Sequence, residues 1–375
     1  MAKRASKAKA EEGPQFLAPQ GNPELFGQDE AEQRLAQAWR SGRLPHAWLL
    51  SGPRGIGKAT LAYRFARFVL AGKAETGGLF GEAPAGEGLA LETDHPVFRQ
   101  VAAGGHPDLM TVARGVNPKT GKLREEIVVE DVRAVRDFMH MTASAGGWRV
   151  VVVDAADELN RSAANALLKV LEEPPAKGLL LLVSHAPGRL LPTIRSRCCA
   201  LPLAALPEPE IAALLARTWP DLAEADRAAL ARLAEGSAGR ALALAAGGGL
   251  TLYREVTGLM AELPRLDAKA LHALADRWAR DASGEAFRTG MDLMVWWLGR
   301  LVRAAATGGS PGEVVGEVVE GEAALIARLA ARARLDQWLG LWDKVSRLPA
   351  RAGGLNLDRK QVVLTAFFEL EALAR

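Results

Sequence analysis

The sequence predicts an α/β protein in which a parallel sheet carries a phosphate-binding loop and is followed by an all-helical C-terminal region. Three observations lead to this fold class. As far as about residue 203, apolar strand-like runs alternate with amphipathic helical patterns. A glycine-rich loop connects the first run to a helix, and beyond residue 203 we find only helical patterns broken by Gly and Pro. Parallel sheets of this kind bind ligands at the carboxyl ends of their strands.

The glycine-rich loop, GPRGIGKAT at residues 52–60, follows the apolar run AWLL and precedes the helical pattern LAYRFARFVL. In a phosphate-binding loop, backbone amides at a helix N-terminus converge on the phosphates, a lysine adds charge, and a Ser or Thr hydroxyl binds Mg²⁺. The first two components are supplied by Gly52, Gly55, Gly57 and Lys58. Ala59 stands where the hydroxyl should be. Thr60 is turned by about 100° around the helix and is expected to point elsewhere.

A second nucleotide-binding element is predicted at the end of the apolar run WRVVVVD. In hydrolytic proteins of this kind, a strand ends in an Asp near the metal and a further group positions the attacking water. Asp154 ends the strand, but the next residue is Ala155, where a carboxylate would be needed. Asp157 and Glu158 come too late to replace it, and we interpret them as a solvated helix start.

The remaining elements of the α/β part follow from periodicity. In EEIVVEDVRAVRDFM, Asp131 is predicted to cap a helix, and SAANALLKVLEEPP has a helical apolar face that ends at Pro174. GLLLLVSHA is predicted to be a buried strand. The segment Gly72–Gly105 is rich in Gly, Ala and Glu and is predicted to be irregular.

Composition narrows the class of protein. The formal net charge of +3 over 375 residues gives no chain-wide basic field, so any DNA contact should be local or shared. The only two cysteines, Cys198 and Cys199, exclude a disulfide framework and a Cys-rich zinc site. No metal site and no zinc are predicted. No apolar run reaches the roughly 18 residues of a membrane span, and we expect a cytoplasmic protein.

Four segments are predicted along the chain. They are a disordered tail at 1–20, a nucleotide-binding-like domain at 21–203, a small helical domain at 204–250 and a larger helical domain at 251–375. The last two are separated by the break AAGGGL.

Three stretches, SGRLPHAWLLSGPRGIGKAT, NALLKVLEEPP and LPTIRSRC, resemble in order and spacing the clamp-loader branch of the AAA+ proteins. The resemblance is strong over about residues 22–203. It implies an AAA+ P-loop domain, a helical lid and a C-terminal collar that joins other clamp-loader subunits in a hetero-pentamer. Such an assembly opens a sliding clamp and places it on primed DNA during replication.

The resemblance also assigns candidate site residues. Ser196 and Arg197 match a motif in which the arginine reaches as a finger into the ATP site of a neighbouring subunit. Ser184 or His185 falls at the sensor 1 position, and Arg240 falls in the sensor 2 region of the lid. A guanidinium held in a polar turn can donate in a fork to a γ-phosphate, which suits Arg197 to this task. Arg195 is a second, weaker candidate.

The sequence is compatible with three hypotheses of function. The first is a largely non-hydrolysing subunit that binds ATP or ADP weakly or not at all, with Mg²⁺ only alongside nucleotide, and donates Arg197 to a partner. The second is an ATP-hydrolysing motor subunit in which Thr60 or water replaces the missing ligand. The third is another P-loop class, such as a repair or partition ATPase. Ala59 and Ala155 favour the first, because metal placement and water activation act in the same transition state.

Overall fold

The computed structural model describes residues 17–72, 88–144, 147–307, 316–355 and 357–375. The chain forms two compact units. The first comprises the residues up to Leu206 together with Ser237–Gly239, and the second comprises Pro207–Gly236 and Arg240–Arg375. Of the tail predicted at residues 1–20, residues 1–16 lie outside the described residues, and its end enters a short 3-10 helix, Pro19–Gly21.

The first unit is built on a five-stranded, fully parallel sheet in the order β2-β3-β4-β1-β5. Its strands are β1 (Ala47–Ser51), β2 (Leu109–Val112), β3 (Arg149–Asp154), β4 (Gly178–Ser184) and β5 (Cys199–Pro202). The central strands β3 and β4 are apolar along almost their whole length because helices cover both faces. The predicted fold class of a parallel α/β domain is confirmed.

Among the described residues, six α-helices flank this sheet. They are α1 (Asp29–Arg40), α2 (Lys58–Ala71), α3 (Pro96–Ala102), α4 (Val129–His140), α5 (Arg161–Glu172) and α6 (Pro192–Arg195). Successive strand residues point to opposite faces, so Leu50 and Val152 join one buried cluster while Leu49 and Val151 join the other.

Two predictions of local structure are wrong. The segment predicted to be irregular contains the helix α3, which begins because His95 accepts a hydrogen bond from the Val97 amide and Pro96 takes the first helical position. Residues 73–87 of that segment lie outside the described residues. Asp131 is not the N-cap of α4. It lies three residues inside, where its carboxylate accepts the Val128 amide proton at 3.0 Å.

The second unit contains, among its described residues, only helices. They are α7 (Glu208–Thr218), α8 (Glu224–Ala234), α9 (Ala238–Ala246), α10 (Gly249–Ala261), α11 (Ala268–Arg280), α12 (Glu285–Ala306), α13 (Glu322–Ala330), α14 (Leu335–Leu355) and α15 (Arg359–Ala374), the first two residues of α9 falling in the first unit. The all-helical prediction is confirmed for the described residues. A separate lid ending at residue 250 stays a prediction. No helix in the described part of the chain is long and apolar enough to cross a membrane.

Candidate nucleotide site and arginine motif

The loop between β1 and α2 has the backbone of a phosphate-binding loop. Gly52, Gly55 and Gly57 have φ angles of 144°, 75° and 99°, which residues with a side chain rarely adopt. A Cβ on Gly52 would lie 2.5 Å from the Leu203 carbonyl oxygen, so the loop is also packed too closely for a larger residue. These glycines are therefore required by the shape of the loop.

Lys58, the first residue of α2, turns its ammonium group back into this loop. Its Nζ donates to the Gly52 carbonyl at 2.8 Å and to the Pro53 carbonyl, and the residue is only 3% exposed. Burial lowers the pKa of Lys58 from its usual 10.5 to about 8, against the attraction of Asp157 and Asp154. The lysine is thus satisfied by its own loop.

Ala59 and Ala155 lie at the two expected positions, at the start of α2 and just after β3. Ala59 packs against the buried cluster beneath α2, and Ala155 is buried just after β3. Thr60 is half-buried one position further along the helix. Neither alanine offers a side-chain oxygen, so this donor set does not fit a Mg²⁺ ion held between a loop hydroxyl and an acid-bearing strand.

Three carboxylates lie at the end of β3 or just after it. Burial, reinforced by the nearby Glu158, raises the pKa of Asp154. Burial would also raise the pKa of Asp157, but the backbone amide of His185 donates to its Oδ1 at 2.8 Å, and the pKa is lowered overall. The Glu158 carboxylate forms salt bridges with Arg54 Nη2 and Arg114 Nε, each at 2.8 Å. Asp157 and Glu158 lie in the first turn of a short 3-10 helix, Ala156–Glu158, so the predicted helix start is confirmed. The prediction that they are solvated is wrong, because both carboxylates have partners from distant parts of the chain.

The two sensor 1 candidates have different surroundings at the end of β4. Ser184 pairs with Ser51 of β1 and is fully buried. His185 comes just after the strand, and burial together with the positive charges of Lys58 and Arg54 lowers its pKa to about 4. His185 is thus neutral at physiological pH, and its imidazole lies near enough to the loop lysine for the charge of Lys58 to affect its pKa.

Two residues outside the predicted set brace the loop. Gln28, 5% exposed, donates through Nε2 to the carbonyl oxygens of Ile56 and Ala204, both at 3.1 Å. The Gly239 amide donates to the Gly55 carbonyl at 2.9 Å. Gln28 carries no signal in the sequence beyond its position before α1, because an isolated glutamine fits any helix start.

The arginine motif is divided between core and surface. Ile194 and Cys198 pack into one buried cluster of the sheet, whereas Ser196 and Arg197 are exposed. The Ser196 hydroxyl donates to the Thr193 carbonyl at 3.1 Å. This turn presents Arg197 on the surface. Arg195, the last residue of α6, is also exposed.

Arg240 lies in the second unit, at 3.8 Å from Glu235. Its predicted role in a lid stays a prediction. Among the described residues, no group of three or more His, Cys, Asp or Glu side chains could hold a metal ion.

A P-loop directly after β1, an acid at the end of β3 and the strand order β2-β3-β4-β1-β5 define a P-loop domain with the AAA+ fold. Residues 27–207 match the family described as DNA polymerase III, delta subunit. This stretch of the chain is similar to that family.

The similar proteins agree with this family. The chain is 42% identical over 164 residues to the DNA polymerase III subunit delta' of Pseudomonas aeruginosa, covering 43% of this chain and 44% of that protein. It is 37% identical over 212 residues to the subunit delta' of Escherichia coli (strain K12), covering 56% of this chain and 58% of that protein. It is 32% identical over 262 residues to the DNA polymerase III subunit tau of that organism, covering 66% of this chain and 38% of that protein. The chain spans about half the length of the delta' relatives.

Proposed function

We propose that this chain is a clamp-loader subunit of the delta' type, which keeps the AAA+ frame without hydrolysing ATP and completes a neighbour's ATP site with Arg197. The observation that carries the proposal is the pairing of Ala59 and Ala155 with an intact loop backbone and an exposed Arg197. The two positions that would hold the metal and activate water carry no side-chain oxygen, while an arginine that could act on another subunit is present on the surface.

The charges around the loop support this proposal. Lys58 is bonded to loop carbonyls, Asp157 to the His185 amide, and Glu158 to two arginines. A nucleotide would have to displace or reorganise these contacts, so we expect ATP or ADP to bind weakly or not at all.

The proposed partners are the tau/gamma and delta subunits in a hetero-pentamer, with the sliding clamp and primed DNA reached through the assembly. The names of the relatives support these partners, since they are subunits delta', gamma/tau and tau of DNA polymerase III in their own organisms. Such a complex works in the bacterial cytoplasm. A tau/gamma-like motor is the alternative, and the same two alanines argue against it.

Co-purification tests the assignment. A tagged copy expressed in its native cell is expected to bring down the gamma/tau and delta subunits of DNA polymerase III in fixed ratio. Recovery of the tagged chain alone, or with unrelated proteins, would contradict the proposal.

The isolated chain is expected to show no steady ATP turnover, because no side-chain oxygen is available at position 59 for Mg²⁺ or at 155 for water. Phosphate release from purified protein measures this directly. Lys58→Ala is the control: turnover that this variant abolishes would mean that the loop is catalytic. Calorimetry with ATP and with ADP separates binding without turnover from no binding.

The second unit carries a surface suited to assembly. On α14, Leu335, Leu339 and Trp342 are spaced four and three residues apart and are 37–44% exposed, while Trp338 and Leu341 of the same helix are buried. The three exposed side chains form an apolar stripe, here named the α14 stripe. Large exposed apolar side chains that lie together mark interaction surfaces, which supports a collar role for this unit.

Trp342→Glu is expected to weaken entry of the full chain into the loader at least tenfold, since it places a charge in the centre of a desolvated contact. Titration of the chain against the other subunits, followed by size-exclusion chromatography, measures this. Ala350→Glu adds the same charge at another exposed position of α14 and should leave assembly unchanged. Equal affinity of both variants would remove the α14 stripe from the interface.

A further inference from the structure

The side chain of Arg197 is held by two groups of its own domain. Its Nη2 lies 2.9 Å from Glu172 Oε1, and its Nη1 donates to the Thr193 carbonyl at 3.0 Å. The arginine and glutamate side chains are 36% and 48% exposed. An exposed ion pair of this kind adds little to fold stability, so its placement calls for another explanation.

The ion pair links the two stretches that carry the family resemblance. Glu172 belongs to NALLKVLEEPP and is the last residue of α5, whose continuation is blocked by Pro174 and Pro175. Arg197 belongs to LPTIRSRC. Ile194 and Cys198 fix the turn from below by packing into the same buried cluster as Leu171, the neighbour of Glu172. The two backbones that carry the pair are therefore rigidly placed.

The two contacts leave the arginine able to bind a further group. A guanidinium has five N–H donors in a planar fork, and only Nη1 and Nη2 engage the Thr193 carbonyl and Glu172. The arginine side chain is long and flexible, and it loses considerable rotamer freedom when it is held in one conformation. Fixing it before the partner's phosphate arrives removes that cost from the catalytic step.

We propose that Glu172 is a positioning residue, which orients the guanidinium of Arg197 so that its remaining donors meet the γ-phosphate in the neighbouring subunit's site. The inference rests on the proposed role of Arg197. It assigns to the first glutamate of LEEPP a part in catalysis that occurs in another chain.

A double-mutant cycle in the reconstituted loader tests this. Glu172→Ala should lower the kcat of the clamp- and DNA-stimulated ATPase about threefold to tenfold at the site that Arg197 completes, with the KM for ATP nearly unchanged. Glu172→Gln keeps an acceptor oxygen and should recover part of the loss. The double variant with Arg197→Ala should be no slower than Arg197→Ala alone. Glu173→Ala, which removes the next acid at the exposed end of α5, is the control and should retain full activity.

The outcomes separate the inference from the proposed function. Full activity of Glu172→Ala beside a slow Arg197→Ala, or a double variant slower than Arg197→Ala, would overturn the positioning role and leave the arginine finger standing. Full activity of Arg197→Ala would overturn both. Size-exclusion chromatography of each loader shows that every variant is incorporated.

Discussion

Glu322→Ala is expected to lower the free energy of unfolding of the second unit by about 3–5 kcal/mol, because it leaves a buried arginine without its counter-charge. Glu322 is 1% exposed and Arg300 is 2% exposed, and their side chains lie 2.9 Å apart. The same carboxylate accepts the Tyr253 hydroxyl and, through Oε2, the Val318 amide at 2.8 Å. Burial and the Glu322 carboxylate together raise the pKa of Tyr253, which keeps this hydroxyl a donor.

Urea unfolding followed by tryptophan fluorescence measures the effect on the full chain. Glu320→Ala removes an exposed acid two residues away and should leave the midpoint unchanged. Arg300→Met combined with Glu322→Leu removes both charges and keeps apolar volume, so it should recover most of the lost stability. If Glu322→Ala is as stable as the parent chain, the ion pair between Arg300 and Glu322 does not anchor α12 to α13.

The sheet could be predicted from the sequence because its strands are recorded in short-range patterns. The runs around Val151 and Leu181 are apolar throughout, as strands buried on both faces require. The helix α3 escaped prediction because it is only seven residues long and is specified by a His-Pro start rather than by periodicity. Short elements of this kind depend on capping contacts that composition does not reveal.

The phosphate loop was equally predictable, since its glycines and Lys58 all lie within the short stretch GPRGIGK. The partners of Glu158 and Asp157 were not, because Arg114 follows β2 and His185 follows β4. Only the strand order brings these chain segments to one edge of the sheet. The contact between Glu172 and Arg197 has the same origin: 25 positions apart, the two residues share no periodic pattern, and only the packing of α5 against the following turn joins them.

Arg197 and Lys58 are expected to affect the ATPase of one assembled loader very differently. Arg197→Ala is expected to preserve folding and assembly, because the side chain is exposed and its ion pair adds little stability. Removing an arginine finger slows its site by a factor of about 10³–10⁵. The clamp- and DNA-stimulated ATPase should therefore lose the contribution of the one site that this chain completes. Arg197→Lys should fail to restore it, since an ammonium lacks the planar fork.

Lys58→Ala should change the same ATPase little, because Lys58 is bonded within a loop that lacks the oxygen ligand for Mg²⁺. Arg195→Ala removes the second candidate arginine from the same turn, so a loss as large as that of Arg197→Ala would assign the finger to Arg195. The measurement is steady-state phosphate release with clamp and primed DNA present, on loaders checked for equal subunit content. A loader crippled by Lys58→Ala and unaffected by Arg197→Ala would place the catalysis in this chain's own loop and make it a motor subunit.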